Sequence, residues 1–211
     1  MKHIEDGAAS KKFICSDDKA DIFLIGDSIR LGYCDIVKTN LHNDANVFFV
    51  EDNCRNTQYV ITSLHGWFNK FSAPEKVDLV LFNCGHWDIA HWLGVECSLT
   101  DIDEYARNIR IIIDLLRKLF INAKIVFATS TPMNPNGVVG VNPRTDEEID
   151  RYNSAAVKVC EEKLVPVIDL NKFCRDWDSS FYSDYCHLTN EGYKCLGEEV
   201  ANRLKLYLNA K

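Results

Sequence analysis

The chain has 211 residues, a length that suits one compact domain, and 46% of them are hydrophobic, enough for a sizeable core. Its 24 basic and 31 acidic residues leave a net charge of −7, which argues against nucleic acid as a partner, because affinity for a phosphate backbone rests on clustered Lys and Arg. No stretch approaches the roughly 18 apolar residues of a membrane span, so no membrane partner is expected.

The first twenty residues carry Glu5, Asp6, Asp17 and Asp18 and no long apolar run, which is not the form of a signal peptide. Residues 1–20 read as an N-terminal extension and 21–211 as a single domain. Nine cysteines, an odd number, are scattered from Cys15 to Cys195 without a C-x-x-C pair. They read as mostly buried thiols of a reducing compartment, so the expected location is cytoplasmic.

In chain order, the first apolar run, residues 22–25, is a predicted strand closed by Gly26-Asp27-Ser28, and a weak helical pattern follows Ser28. A second strand is predicted at 47–50, with another weak helical pattern after Asn56. The third strand is predicted at 79–82. A helix over 101–120 is the clearest element: Ile102, Tyr105, Ala106, Ile109, Ile112, Ile113, Leu116 and Leu119 share one face. Thr100 is its predicted N-cap, with Asp103 three residues on. The fourth strand is predicted at 125–127, and residues 132–143 form a turn-rich loop placed to act as a rim or lid. A second helix is predicted from Thr145, where Glu148 completes a capping box and Ile149, Tyr152, Ala156 and Val159 face inward. The fifth strand is predicted at 165–170. A last helix starts near Thr189, its cap, and buries Tyr193, Leu196, Val200 and Leu204.

Strands alternating with helices imply a parallel sheet covered on both faces. The predicted fold is α/β, a three-layer α/β/α, doubly wound domain around a five-stranded parallel sheet of flavodoxin-like order 2-1-3-4-5. Ligands of such sheets bind beyond the carboxyl ends of the strands. Ser28, the segment 53–56, the segment 85–88, Ser130 and Thr131, and Asp184 with His187 all follow strands at that edge.

Those placements bring a serine, a histidine and an aspartate together. A serine hydroxyl needs a base to become a nucleophile, and a histidine serves when its other ring nitrogen is held by an acceptor. Asp184 and His187, three residues apart in a turn before a helix, have the spacing for that contact. Ser28 at a helix start has free N–H groups nearby to hold a developing oxyanion.

The chain resembles the SGNH or GDSL hydrolases from about Asp21 to Leu206. Phe23-Leu24-Ile25-Gly26-Asp27-Ser28 resembles their first block and Asp184-Tyr185-Cys186-His187-Leu188-Thr189 their last. Asn53-Cys54-Arg55-Asn56-Thr57 and Asn83-Cys84-Gly85-His86-Trp87-Asp88 stand in place of the second and third. The resemblance implies a carboxylic ester hydrolase with Ser28 as nucleophile, His187 as base and Asp184 as its orienting acid, and no cofactor. It also implies oxyanion or substrate roles around Asn53, Arg55, Asn56, Gly85 and Trp87. The chain departs from the family where a second-block glycine is replaced by Arg55 or Asn56, and where Trp87 stands in the third block for an asparagine. Asn53, Asn56 or Asn83 are candidates for the missing amide. No G-x-S-x-G elbow is present, against an α/β-hydrolase.

Other candidates weigh less. Cys84, His86, Asp88 and His91 lack the tight spacing of a metal site, so none is expected. Cys186 beside His187 invites a thiol nucleophile, but neighbouring side chains in an extended turn point apart. Trp87, His91 and Trp92 crowd one loop, as local packing or as an apolar wall for a sugar or acyl group. The expected substrate is a small-molecule or carbohydrate O-acyl ester. A non-catalytic carbohydrate- or acyl-binding module, or an O-acyltransferase, stays open on the same fold. A nucleotide-binding flavodoxin-like domain is disfavoured, because the loop after the first strand has no further glycine to admit phosphates.

Overall fold

The computed structural model describes residues 12–138 and 140–209. Five strands, β1 (Ala20–Ile25), β2 (Ala45–Phe49), β3 (Val77–Phe82), β4 (Lys124–Ala128) and β5 (Val167–Ile168), form one parallel sheet in the order β2-β1-β3-β4-β5. Among the described residues, seven α-helices connect and follow them: α1 (Ser28–Asn40), α2 (Thr57–Phe68), α3 (His86–Ile89), α4 (Ile102–Leu119), α5 (Asp146–Glu162), α6 (Leu170–Cys174) and α7 (Asn190–Asn209).

The strands are apolar on both faces because each face is covered. Phe23, Ile25, Val80, Phe82, Ile125 and Phe127 pack under α2, α4 and α5. Their neighbours Ile22, Leu24, Leu79, Leu81, Val126 and Ala128 pack under α1 and α7. The two sides of the sheet are therefore two cores set by the period-2 alternation of a strand. Helices α1 and α7 approach closely at Gly32, where an added Cβ would fall 2.1 Å from the Tyr193 ring.

Element ends follow local chemistry. The capping box at Thr145 and Glu148 forms as expected. Thr189 caps α7, its hydroxyl accepting from the Gly192 N–H at 3.3 Å. Helix α4 corrects the expected cap by one residue: Asp101, not Thr100, accepts from the Asp103 N–H. Thr100 is instead buried, and its carbonyl takes the Tyr152 hydroxyl at 2.7 Å. The fifth strand is also shorter than expected, because Leu170 already opens α6 with Asp169 as cap.

Of the N-terminal segment, residues 1–11 lie outside the described residues. Phe13 is fastened to the domain by a parallel bridge to Phe71, and its ring packs edge-on to Phe71 at 4.9 Å.

Candidate active site

The first site element is the turn between β1 and α1. Gly26 lies against Asn83: a Cβ there would fall 1.9 Å from Asn83 Oδ1 and 2.7 Å from Arg30 Cβ, so only glycine lets the chain pass. Asp27 then caps α1, Oδ1 accepting from the Ile29 N–H at 3.0 Å. It is fully buried, and burial raises its carboxyl against the opposing pull of the Ile29 N–H and Asn83. Ser28 follows as the first residue of the helix, where a backbone N–H has no carbonyl one turn back.

The second element is the turn before α7. Asp184 Oδ1 accepts the N–H groups of Cys186 at 2.8 Å and His187 at 2.7 Å, which folds the turn around the carboxylate. Its other oxygen, Oδ2, lies 2.7 Å from His187 Nδ1, and His187 Nε2 lies 2.8 Å from Ser28 Oγ. Partial burial pushes the Asp184 carboxyl up, but the two backbone N–H groups and the His187 ring together outweigh it and hold it below the ordinary range. The 132–143 loop steadies this turn through Asn134, whose backbone N–H donates to the Tyr185 carbonyl and whose amide donates to the Asp184 carbonyl, both at 2.9 Å.

Ser28 and His187 open on a cleft of about 150 Å3 whose walls include Asn53, His86, Trp87, Trp92, Asn142, Arg144 and Tyr185. Trp87 and Trp92 lean together with ring centroids 5.5 Å apart. The arrangement is a hydroxyl, an imidazole and a carboxylate in series at the sheet edge, opening on a partly apolar cleft.

The sequence matches the GDSL-like lipase/acylhydrolase family over residues 24–195. The chain belongs to this family. Among curated relatives it is 31% identical over 145 residues to the GDSL esterase/lipase WDL1 of Oryza sativa subsp. japonica, covering 63% of this chain and 55% of that one. It is 25% identical over 190 residues to the GDSL esterase/lipase CPRD49 of Arabidopsis thaliana, covering 78% and 73%. The chain thus spans about half the length (55%) of the rice relative. Solved structures of the same fold include the acetyl xylan esterase AlAXEase, with a TM-score of 0.68, 16% identity and coverage of 87% and 99%. Another is Est24, a carbohydrate acetylesterase from Sinorhizobium meliloti, with a TM-score of 0.67, 14% identity and coverage of 90% and 100%.

As a GDSL-family chain it places the looser second and third blocks as follows. Arg55 has φ of 49°, the left-handed region that favours glycine, so it stands where the second-block glycine is expected. Its N–H donates to Asn53 Oδ1 at 3.0 Å, and its guanidinium lies over the Tyr59 ring at 4.8 Å and forms no ion pair with Asp52. Asn53 reaches the cleft. Asn56 does not line it: its side chain caps α2, accepting from the Tyr59 N–H at 3.0 Å. In the third block Trp87 lines the cleft, whereas Gly85 lies behind it against Ser130 Oγ, and Asn83 is buried against Gly26. Asp88 ties the two blocks together by accepting the N–H of Thr57 at 3.1 Å and its hydroxyl at 2.6 Å, and burial pushes its carboxyl up to about 6.

The residues weighed as metal ligands point apart. Cys84 is fully buried, Asp88 faces Thr57, His86 Nε2 lies 3.2 Å from Thr131 Oγ1, and His91 Nε2 lies 2.6 Å from Glu148. Burial, then the Arg144 and His187 charges, push His86 down to about 3, so its ring is neutral. Burial pushes the Cys186 thiol up to about 12, which keeps it protonated and a poor nucleophile. Sequence reasoning did not single out His86, Asn142, Arg144 or Tyr185 as cleft residues. The one available signal was that Arg144 immediately precedes a capping box at the same sheet edge.

Proposed function

We propose that this chain is a carboxylic ester hydrolase acting on small O-acyl esters such as acetyl esters, with a carbohydrate as the natural alcohol. The observation that carries the reading is the unbroken series from Ser28 Oγ through His187 to Asp184 at the mouth of a cleft. Residues 21–211 act as the single catalytic domain. A small cleft of about 150 Å3 supports a short acyl group. The acetylesterase neighbours of the same fold support acetyl as that group.

In this mechanism Ser28 Oγ attacks the ester carbonyl while His187 Nε2 takes the hydroxyl proton. The tetrahedral intermediate collapses as His187 returns that proton to the leaving alcohol, and water repeats the sequence on the acyl-serine. Asp184 holds the Nδ1 proton of His187 and stabilises the imidazolium. The oxyanion falls to the Ser28 N–H, the Asn53 amide and the Trp87 indole N–H, because the Arg55 N–H is already given to Asn53 Oδ1 and Arg55 does not line the cleft. Asn53 is suited to the role because its oxygen is committed to the Arg55 N–H, which leaves its NH2 group to donate. One such donor lowers the barrier by about 3 kcal/mol. The nine free cysteines support a reducing, cytoplasmic setting.

The test is Ser28→Ala assayed on 4-nitrophenyl acetate, with circular dichroism as a fold control. Loss of turnover by the folded variant supports the reading. Retention of most activity rejects Ser28 as nucleophile, and a wild-type protein that binds acetylated sugars without turning over any ester supports a binding module instead.

A further inference from the structure

Among the described residues that line the cleft there is no carboxylate, and the one permanent charge is the Arg144 guanidinium. That sign is opposite to the chain's net charge of −7. Arg144 also lacks an ion-pair partner among the described residues. Its Nη1 donates to the His86 carbonyl, its Nη2 reaches the Tyr185 hydroxyl only at 3.4 Å, and its Nε is buried without a partner.

A comparison inside the molecule shows what a purely structural arginine looks like. Arg30 is fully buried, and its two terminal nitrogens bond the carbonyls of Val50 at 2.8 Å, Gly26 at 3.0 Å and Asp52 at 2.7 Å. It ties three backbone segments and presents nothing to solvent, although its Nε, like that of Arg144, is buried without a partner. Arg144 ties one carbonyl and faces the cleft half-buried. Its hydrogen-bond partners are all neutral and the buried Asp27 carboxyl feels its charge without an ion-pair contact, so the guanidinium is costly to desolvate unless an anion joins it. Its field is felt in the site: after burial, the Arg144 charge is the next influence on both His86 and Cys186.

Its position relative to the reacting atoms is fixed by Tyr185. The guanidinium carbon lies 5.6 Å from the Tyr185 ring, and that ring lies 6.5 Å from the His187 ring. A group bound at Arg144 therefore lies in the same cleft as an ester carbonyl at Ser28.

We propose that Arg144 is a specificity residue that binds a carboxylate or phosphate carried by the ester substrate. The planar guanidinium fork matches either oxyanion. The proposal deepens the hydrolase reading and rests on it for the location of the ester. It narrows the substrate from any small O-acyl ester to an anionic one.

The test uses the Ser28→Ala protein, which leaves esters intact, with Trp87 and Trp92 as fluorescent reporters of cleft occupancy. Three ligands are titrated at low ionic strength: phenyl acetate, 4-acetoxybenzoate and 4-acetoxyphenyl phosphate. The expected result is that the anionic esters bind at least about tenfold more tightly than phenyl acetate, the value of one charge-assisted contact. R144Q on this background brings the ratio close to one, and R144K retains part of it, which a merely structural role would not produce. The tighter of the two anionic ligands identifies the anion. A ratio near one in the Ser28→Ala protein, or a ratio that R144Q leaves unchanged, overturns the proposal. Because binding is read without turnover, a wild-type protein that hydrolyses none of the three esters fails the hydrolase reading separately.

Discussion

Replacing Asp184 by asparagine separates geometry from protonation. In the native turn Oδ1 accepts two backbone N–H groups, from Cys186 at 2.8 Å and His187 at 2.7 Å, while Oδ2 faces His187 Nδ1 at 2.7 Å. An asparagine keeps its oxygen on the side of the two N–H donors, since turning it would set an NH2 group against both. Its NH2 group then faces Nδ1, which must become an acceptor, so the ring proton moves to Nε2. In that tautomer His187 donates to Ser28 and has no lone pair at Nε2 to take its proton. A correctly placed histidine in the wrong tautomer loses about 10⁴ in kcat in a serine protease, which adds about 5.5 kcal/mol to the barrier. The fold changes far less, because both backbone donors keep an oxygen, and a stability loss within about 1 kcal/mol is expected. The assay is kcat on 4-nitrophenyl acetate beside urea unfolding of the same preparation. Activity within tenfold of wild type, in a variant of native stability, would refute the assignment of Asp184 as the orienting group.

Two other substitutions read the scaffold. Gly26→Ala places a methyl 1.9 Å from Asn83 Oδ1, so stability falls by about 3 kcal/mol, or roughly 6–12 °C in Tm, and activity falls with it; a native Tm would show that this turn tolerates a side chain. Glu148→Gln keeps the capping box with Thr145 but loses the ion pair to His91. The Glu148 hydrogen bond raises the His91 value, so the pair contributes fully below the unfolded histidine value of about 6.5 and fades as pH rises through the folded one. On the acid side, Glu148 is itself held low, so the contribution lasts until that carboxylate protonates. The Tm deficit of the variant is thus larger at pH 5.5 than at pH 8.5, and equal deficits would contradict the pairing.

Most of the fold was legible because parallel strands buried on both faces leave short, largely apolar runs, and all five were found with their order, although the fifth, 165–170, overran into the Asp169 cap of α6. Helix α4 was legible from its apolar stripe, but its cap was not: Thr100 and Asp101 both have capping side chains, and the choice was made by Tyr152, which draws the Thr100 carbonyl into the core. Ser28, Asp184 and His187 were legible as motifs. Asn56 shows the limit, since an asparagine that caps a helix and one that faces a ligand look alike in sequence. Arg144 and Tyr185 were illegible for a different reason: they come from irregular segments without period, brought to Ser28 by contacts such as Asn134 with Tyr185. Phe13 was read as part of an extension because one aromatic residue in a polar stretch carries no pattern, yet it packs against Phe71.

The most direct measurement of the central claim is active-site labelling with a fluorophosphonate, followed by peptide mapping, for the wild type and for His187→Ala. The account predicts one adduct, on Ser28, that forms in the wild type and is lost in the variant. A folded wild-type protein that takes no label, or takes it on another residue, would contradict the activation of Ser28 by His187.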